Sequence, residues 1–352
     1  MRYDDLEQRY REALDFYRDK SYVTGVDVGV RRRGEDAGKL AVRLHVTKDV
    51  DHQVLLAECP DEMLDEVVGG STEVVQASPC CRFGVPDALR QRKLEHGSMD
   101  STPASSSGSA IQPGMSISRT QGGGGTLGLV AWDAEPGDGG RRQALVSCWH
   151  VLAFPRARWS QNLRIVLPAA DDDPDNVAYN WVATLSSLDR LRQPGPEGDC
   201  AFAYVMDDVL NGRPVRSAQL GTGVEITAAH QVTYEDVESR RRVTKVGWST
   251  GETHGVLDGV GTYFLSYDEP VGRVGIEGFR VVPEPDEGHV DVSKPGDSGA
   301  CWYLDPRGER STEKLGVGIH FEGDPGGPEP FALACHLPRA LAALKLSLTP
   351  PC

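Results

Sequence analysis

The chain has 352 residues, enough for two domains or for one large domain with an appendage. Its makeup, 39% hydrophobic and 25% charged, is that of an ordinary globular protein, and no apolar run approaches the roughly 18 residues of a membrane-spanning helix. The net charge of −15 repels a phosphate backbone, which disfavours nucleic acid as the main partner.

Forty glycines and 23 prolines favour turn-rich β structure over a helical bundle. The first 20 residues lack the apolar centre of a signal peptide and instead place Leu6, Tyr10, Leu14 and Tyr17 on one face of an amphipathic helix. An intracellular, cytoplasmic protein is the expectation. Val26, Val28 and Val30 alternate at period two, as do Leu40, Val42, Leu44 and Val46, so residues 22–48 read as a hairpin around "RRRGEDAGK". Asp27 and Gly29 fall on the opposite face. A short helix over "PDEMLDEVV" and a strand over "STEVVQAS" complete a small α+β domain, residues 1–78. Residues 79–112, rich in Ser, Gly and Pro toward their end, read as a flexible linker. From 113 the chain is short β-like runs separated by turn clusters, and "LPRALAALKLSL" closes it as a helix. The basic runs Arg31-Arg32-Arg33 and Arg240-Arg241-Arg242 are expected as solvated hairpin tips. The eight cysteines form no CxxC pair, and reduced thiols are expected; Cys200 is assigned to core packing.

Three segments carry chemistry. "ALVSCWHVLAF" puts His150 at the end of an apolar strand, "GPEGDCAFAYV" puts Asp199 at the start of another, and "SKPGDSGACWY" puts Ser298 on a glycine-rich turn. Serine is a poor nucleophile at its own pKa. It needs a histidine to take its proton and a carboxylate to fix that histidine's tautomer. Glycines around the serine let backbone amides converge where an oxyanion develops, and Gly296 and Ser298 are the expected donors. The order His, Asp, Ser is one of three known for this chemistry. GDSG alone is equally good turn chemistry; the histidine and aspartate in order favour catalysis. The elbow of an α/β-hydrolase needs a helix after the serine, and "ACWYLD" is β-like.

With those residues in view, the chain resembles the chymotrypsin/trypsin-like serine peptidases of bacterial, non-secreted type. "GDSGA", "SCWHVLA" and "DCAFA" are similar to the nucleophile, histidine and aspartate motifs. "KVGWSTGETHGVL" is similar to a Lys-x-Gly-x-x-Thr-Gly run of the second barrel, and "GVGIHFEG" to the strand that walls the substrate pocket. The small N-terminal domain resembles the one preceding the plant narrow-leaf group of peptidases. Ala300 replaces the last glycine of the nucleophile motif, and Val151 stands where a cysteine often follows the histidine. The resemblance implies a mainly β fold, a double six-stranded β-barrel over 113–352 ending in a helix, behind the N-terminal α+β domain. It implies a triad at the barrel junction and Asp297 as anchor of the oxyanion loop. In secreted relatives that aspartate meets a newly cleaved N-terminus, and "EVVGGSTEV" (66–74) resembles such an activation site.

The expected function is a serine endopeptidase acting through an acyl-enzyme on Ser298, without cofactor or metal, on a protein or peptide substrate, with no nucleic-acid or membrane partner. A homo-oligomer is not readable. Ser293, His320 and Phe321 are the expected substrate-binding residues. By the same resemblance His320 stands where glutamate-specific relatives carry a histidine, so cleavage after Glu is expected, with Glu322 as an opposing charge. His254 is placed on an exposed turn. The alternative is a protease-fold scaffold that does not cleave.

Overall fold

The computed structural model describes residues 2–32, 36–47, 64–71, 76–77, 110–120, 123–135, 142–153, 164–177, 180–185, 193–210, 212–268, 270–284, 291–324 and 330–350. The N-terminal helix is Tyr3–Tyr17, and it buries Leu6, Ala13 and Tyr17. Strands β1 (Val23–Val30), β2 (Leu40–Thr47), β3 (Glu66–Ser71) and β4 (Gln76–Ala77) follow. Next come β5 (Ser116–Arg119), β6 (Gly125–Thr126), β7 (Leu129–Asp133), β8 (Gln143–Cys148), β9 (Arg164–Val166), β10 (Trp181–Leu185) and β11 (Cys200–Val205). The last group is β12 (Glu225–Ala229), β13 (Arg242–Gly247), β14 (Gly251–Tyr267), β15 (Arg273–Val282), β16 (Cys301–Leu304), β17 (Glu313–Asp324), β18 (Phe331–His336) and β19 (Leu346–Ser347).

These strands make two curled sheets. The first runs β19-β7-β8-β11-β10-β9-β5-β6. The second runs β13-β16-β17-β18-β15-β14, and pairing of β13 with β14 closes those six strands into a ring. The double β-barrel is therefore the architecture; the first sheet adds the two-residue β6 and β19 to six longer strands. The C-terminal helix Leu337–Leu344 packs Leu337, Leu341 and Leu344 into the main core. No described helix is long and apolar enough to cross a membrane.

The N-terminal unit has its own small core, with Leu6, Ala13 and Tyr17 under Val26, Val28, Val42 and Leu44. Its sheet does not end there. β1 pairs antiparallel with β14 from Gly25↔Tyr263 to Gly29↔Gly259, so β3-β2-β1 extends the second barrel's sheet. The helix read over "PDEMLDEVV" is corrected in part: from Glu66 onward the chain is strand β3, paired parallel with β2, and residues 60–63 lie outside the described ones. Residues 79–109 of the expected linker also lie outside them. Its last residues are packed: Ile111 is fully buried and bridges to Val215.

The face carrying Asp27 and Gly29 is not solvent-facing. Arg43 of β2 enters it, fully buried, and all five of its N–H donors find acceptors. Nε and Nη2 fork onto Asp27 at 2.8 and 2.7 Å, Nη1 reaches Asp258 Oδ2 at 3.0 Å and the Val30 carbonyl at 3.1 Å, and Nη2 reaches the Asp258 carbonyl at 3.1 Å. A Cβ at Gly29 would lie 2.1 Å from the guanidinium carbon, and one at Gly259 2.4 Å from Nη2, so both strands need glycine where Arg43 passes. Asp258 sits where β14 bulges against β15 and also receives Arg280 at 2.7 Å, Arg32 at 3.1 Å and Arg240 at 3.3 Å. This corrects the reading of the basic runs as solvated tips: Arg32 and Arg240 close a buried charge cluster. Burial alone would raise the Asp27 pKa; the charges of Arg43 and His45 outweigh it and hold the carboxyl below its usual range.

Removing one partner of a buried ion network leaves the others uncompensated. Arg43→Met is expected to cost about 3–5 kcal/mol of unfolding free energy. Denaturant titration followed by fluorescence checks this; a loss below ~1 kcal/mol means that the cluster does not hold the N-terminal strands to β14.

Candidate active site

β8 and β11 pair antiparallel with Cys148 opposite Cys200. That register sets the residue before Cys200 beside those after Cys148. There the chain leaves β8 as a one-turn helix, Trp149–Leu152, pinned by buried Trp149, Val151 and Leu152. Asp199 is fully buried, and its carbonyl accepts the Trp149 amide at 3.2 Å. Its carboxylate accepts the His150 amide at 3.1 Å and meets His150 Nδ1 at 2.5 Å. A third donor comes from the other barrel: the Tyr267 hydroxyl, at the end of β14, reaches Asp199 Oδ2 at 2.9 Å. Gly198, at φ +138°, admits a sulfur, since a Cβ there would lie 2.7 Å from Cys335 Sγ. Cys335 Sγ stands 3.3 Å from Cys200 Sγ across the barrel junction.

Ser298 lies on a double turn ahead of β16. The Asp297 amide donates to the Lys294 carbonyl at 3.0 Å and the Ala300 amide to the Asp297 carbonyl at 2.9 Å, with Gly296 and Gly299 both at φ +100°. Thr126 of β6 clamps this turn to the first barrel. Its amide donates to the Ser298 carbonyl at 2.7 Å and its hydroxyl to the Gly296 carbonyl at 2.8 Å. The His320 carbonyl accepts both the Gly299 amide at 2.8 Å and the Cys148 thiol at 3.0 Å, which ties the turn to β8, two residues from His150. A Cβ at Gly125 would touch both Val151 and the Ser298 carbonyl, so the His150 helix and the serine turn face each other across β6. The described contacts include no hydrogen bond between His150 and Ser298; such bonds are often long before substrate arrives. Among the described residues the amides of Gly296 and Ser298 donate to no protein carbonyl, as an oxyanion site requires.

Asp297 anchors the turn from beneath. Oδ1 accepts the amides of Ser249 and Thr250 at 3.0 and 3.1 Å; Oδ2 accepts Lys245 Nζ at 2.8 Å, the Thr250 hydroxyl at 2.7 Å and the Lys294 amide at 3.1 Å. Lys245, Ser249 and Thr250 all belong to the "KVGWSTG" run.

Solved serine proteases align with the chain at low similarity. A glutamic-acid-specific serine protease whose substrate binding uses a histidine triad aligns over 68% of this chain and 100% of its own, at 16% identity and a TM-score of 0.45. The Cellulomonas bogoriensis chymotrypsin aligns over 69% and 100%, at 15% identity and 0.42. A thermostable serine protease from an extremophilic microorganism aligns over 62% and 94%, at 11% identity and 0.31. Likeness at this distance assigns nothing to this chain, and the architecture rests on its own strand pairing. No protein-family model and no curated protein matches the chain.

Of the expected pocket residues, Ser293 is buried against the wall strand: a Cβ at Gly323 would lie 2.1 Å from its Oγ. His320 is only 2% exposed, its ring edge-on to Trp302 at 6.4 Å. Burial first, and Lys245 second, push its pKa down to about 3, so it is neutral at physiological pH. Among the described residues its Nδ1 has no partner within hydrogen-bonding geometry, although the Leu333 backbone acts on the ring. Phe321 departs from expectation. At 1% exposure it belongs to the core cluster with Tyr267 and Leu333, at the point where β17 bulges against β18. His254 is likewise corrected: it lies within β14, half-buried, with Nδ1 2.8 Å from the Thr244 hydroxyl. Sequence reasoning missed Tyr267 and Thr126, which sit far from any motif.

The Glu322 carboxyl is raised to about 7, by burial first, with its neighbour's amide and His150 working against that. Cys148, His150 and Asp199 offer ligand atoms within 4.8 Å of one another, but Asp199 already accepts from His150 and Tyr267 and the Cys148 thiol donates to His320, so the set is engaged as hydrogen bonds.

Burial would lower the His150 pKa; the charge of Asp199 and its hydrogen bond outweigh that, and the net shift is upward. The imidazole therefore keeps its proton above the ordinary value of about 6.5. The stability it contributes is complete below that value and is lost as pH rises through the folded-state pKa. Histidine NMR titration is expected to show His150 above about 6.5 in the native protein and lower in Asp199→Asn. A native value below 6.5 contradicts the pairing.

Proposed function

We propose that the chain is a serine endopeptidase. The observation that carries this reading is the His150–Asp199 hydrogen bond set beside a serine turn whose Gly296 and Ser298 amides have no acceptor among the described residues. In the proposed cycle Ser298 Oγ attacks the peptide carbonyl while His150 Nε2 takes its proton. The amides of Gly296 and Ser298 hold the oxyanion, and His150 returns the proton to the leaving amine. Water then releases the acyl group by the same steps in reverse roles. Asp199 keeps Nδ1 protonated and stabilises the imidazolium, and Tyr267 holds the carboxylate in place. Residues 1–78 are proposed as a unit preceding the peptidase domain, joined to it through β1 and β14.

Fluorophosphonate labelling tests the mechanism. Labelling and peptide turnover are expected in the native protein and are lost in Ser298→Ala, which removes one half-buried hydroxyl and leaves the fold. A folded native protein that neither labels nor cleaves points to the scaffold alternative.

The pocket is proposed to prefer Glu before the cleaved bond, on hydrogen bonding and not on charge. Ser293 Oγ and His320 Nδ1, which has no partner in hydrogen-bonding geometry among the described residues, are polar groups that an apolar side chain would leave unsatisfied. Neutral His320 adds no attraction for an anion. Peptides carrying Glu, Gln, Lys or Leu at that position are expected to rank Glu and Gln together above Leu and Lys, with the gap reduced in His320→Ala. A Lys or Leu preference unchanged in that variant rules the pocket assignment out.

A further inference from the structure

The described cysteines, Cys148, Cys200, Cys301 and Cys335, are all buried, and no step of the proposed cycle uses them. Their surroundings differ. The Cys148 thiol donates to the His320 carbonyl at 3.0 Å, and the Cys301 thiol lies 3.5 Å from the Trp302 carbonyl. Among the described residues Cys200 Sγ makes no bond to oxygen or nitrogen; its contact is Cys335 Sγ at 3.3 Å. Cys335 Sγ has beside this only a long contact to the Ile319 carbonyl at 3.6 Å.

The two residues belong to different sheets. Cys200 opens β11 in the first, and Cys335 lies near the end of β18 in the second. Gly198 lets the chains approach: a Cβ there would lie 2.9 Å from Cys335 Cβ, 2.7 Å from its sulfur and 3.4 Å from Cys200 Sγ. A side chain at position 198 would therefore fill the space in which the two sulfurs meet. A bond of about 2.05 Å asks them to close by roughly a further 1.2 Å.

We propose that Cys200 and Cys335 form an interbarrel disulfide site, closed by a low-molecular-weight disulfide such as oxidised glutathione while the chain folds. A Cys200 thiolate attacks one sulfur of the small disulfide and releases one small thiol, leaving a mixed disulfide on Cys200. Cys335 Sγ then attacks Cys200 Sγ and releases the second small thiol. Two protein thiols lose two electrons and two protons, and the small disulfide gains them as two thiols. The order follows from access. In the folded chain both sulfurs are shielded, and the contact with Cys335 first, and burial second, push the Cys200 thiol well above its ordinary range. Thiolate, the reacting form, is therefore scarce once the barrels have met. The cross-link departs from the reduced thiols expected of the sequence: its state is set by the redox conditions in which the chain folds. It does not depend on the peptidase reading.

Cell-free synthesis of the full-length chain tests it, with either a reduced and oxidised glutathione mixture or dithiothreitol present throughout. Free thiols are alkylated in denaturant, and unreduced digests are mapped by mass spectrometry. A peptide pair joined through Cys200 and Cys335 is expected with glutathione and absent with dithiothreitol. Chain folded in dithiothreitol and moved afterwards into the glutathione mixture is expected to form it at least about tenfold more slowly. The bond joins residues 135 apart, so the linked protein is expected to have an unfolding equilibrium constant lower by about 30- to 700-fold in pulse proteolysis. Cys335→Ala made under the same two conditions is expected to show no such difference, whatever its own stability. Cys200 and Cys335 recovered alkylated from the glutathione sample, or joined to Cys148 or Cys301 instead, overturn the proposal. So does a linked protein no more stable than the dithiol form, a difference that persists in Cys335→Ala, or a link that forms as fast in the folded chain. None of these measurements involves peptide cleavage, so an inactive protein leaves the outcome unchanged.

Discussion

One buried carboxylate, Asp297, organises the serine turn. Five donors converge on its two oxygens, and one of them is the ammonium of Lys245, itself fully buried. An ion pair out of water holds only if its remaining lone pairs are satisfied, and here they are. Lys294, Asp297 and Ala300 spend their amides inside the turn or on the anchor, while those of Gly296 and Ser298 have no acceptor among the described residues. The counter-charge comes from within the second barrel. The segment 66–74, which resembles an activation site, contributes β3, paired with β2 at Val67 and Val68. Nothing in the anchoring of Asp297 calls for a newly cleaved N-terminus.

The remaining groups of the site are divided between the barrels, and three links carry the division. Tyr267 reaches from β14 to Asp199, Thr126 reaches from β6 to the serine turn, and the His320 carbonyl joins Gly299 to Cys148. Each crosses from one sheet to the other within a few residues of His150, Asp199 or Ser298. A shift of one barrel against the other would therefore be felt first as a change in the attitude of the imidazole and the serine. Packing of Trp149 edge-on against Tyr267 at 6.0 Å resists such a shift.

The candidate site was easier to read in the sequence than its surroundings. His150, Asp199 and Ser298 stand in short segments whose chemistry is local, an apolar strand with one polar residue at its tip or a serine between glycines, and such signals survive without any knowledge of the fold. Tyr267 and Thr126 were illegible because their roles depend on which distant strand arrives beside them. Asp27 and Gly29 were read only as lying on the other face of a hairpin, since alternation reports that two faces differ and not which is wet. Arg43 buries that face by supplying charge, and period-two patterning has no sign for it. Phe321 came in with the resemblance of its segment to a pocket wall, which carries no information on the bulge that β17 makes against β18 there.

The junction of β1 with β14 has a consequence for solubility. β14 runs 17 residues, yet β13 pairs only its first part, from Gly251 to Val256. Beyond that point the strand would offer a bare row of amides and carbonyls to any extended chain, which is the usual seed of edge-to-edge aggregation. β1 occupies that row from Gly259 to Tyr263, and the Arg43 cluster pins it there. The N-terminal strands thus serve the barrel as a permanent cover for its own sticky flank. A fragment begun at the barrel would carry that flank exposed.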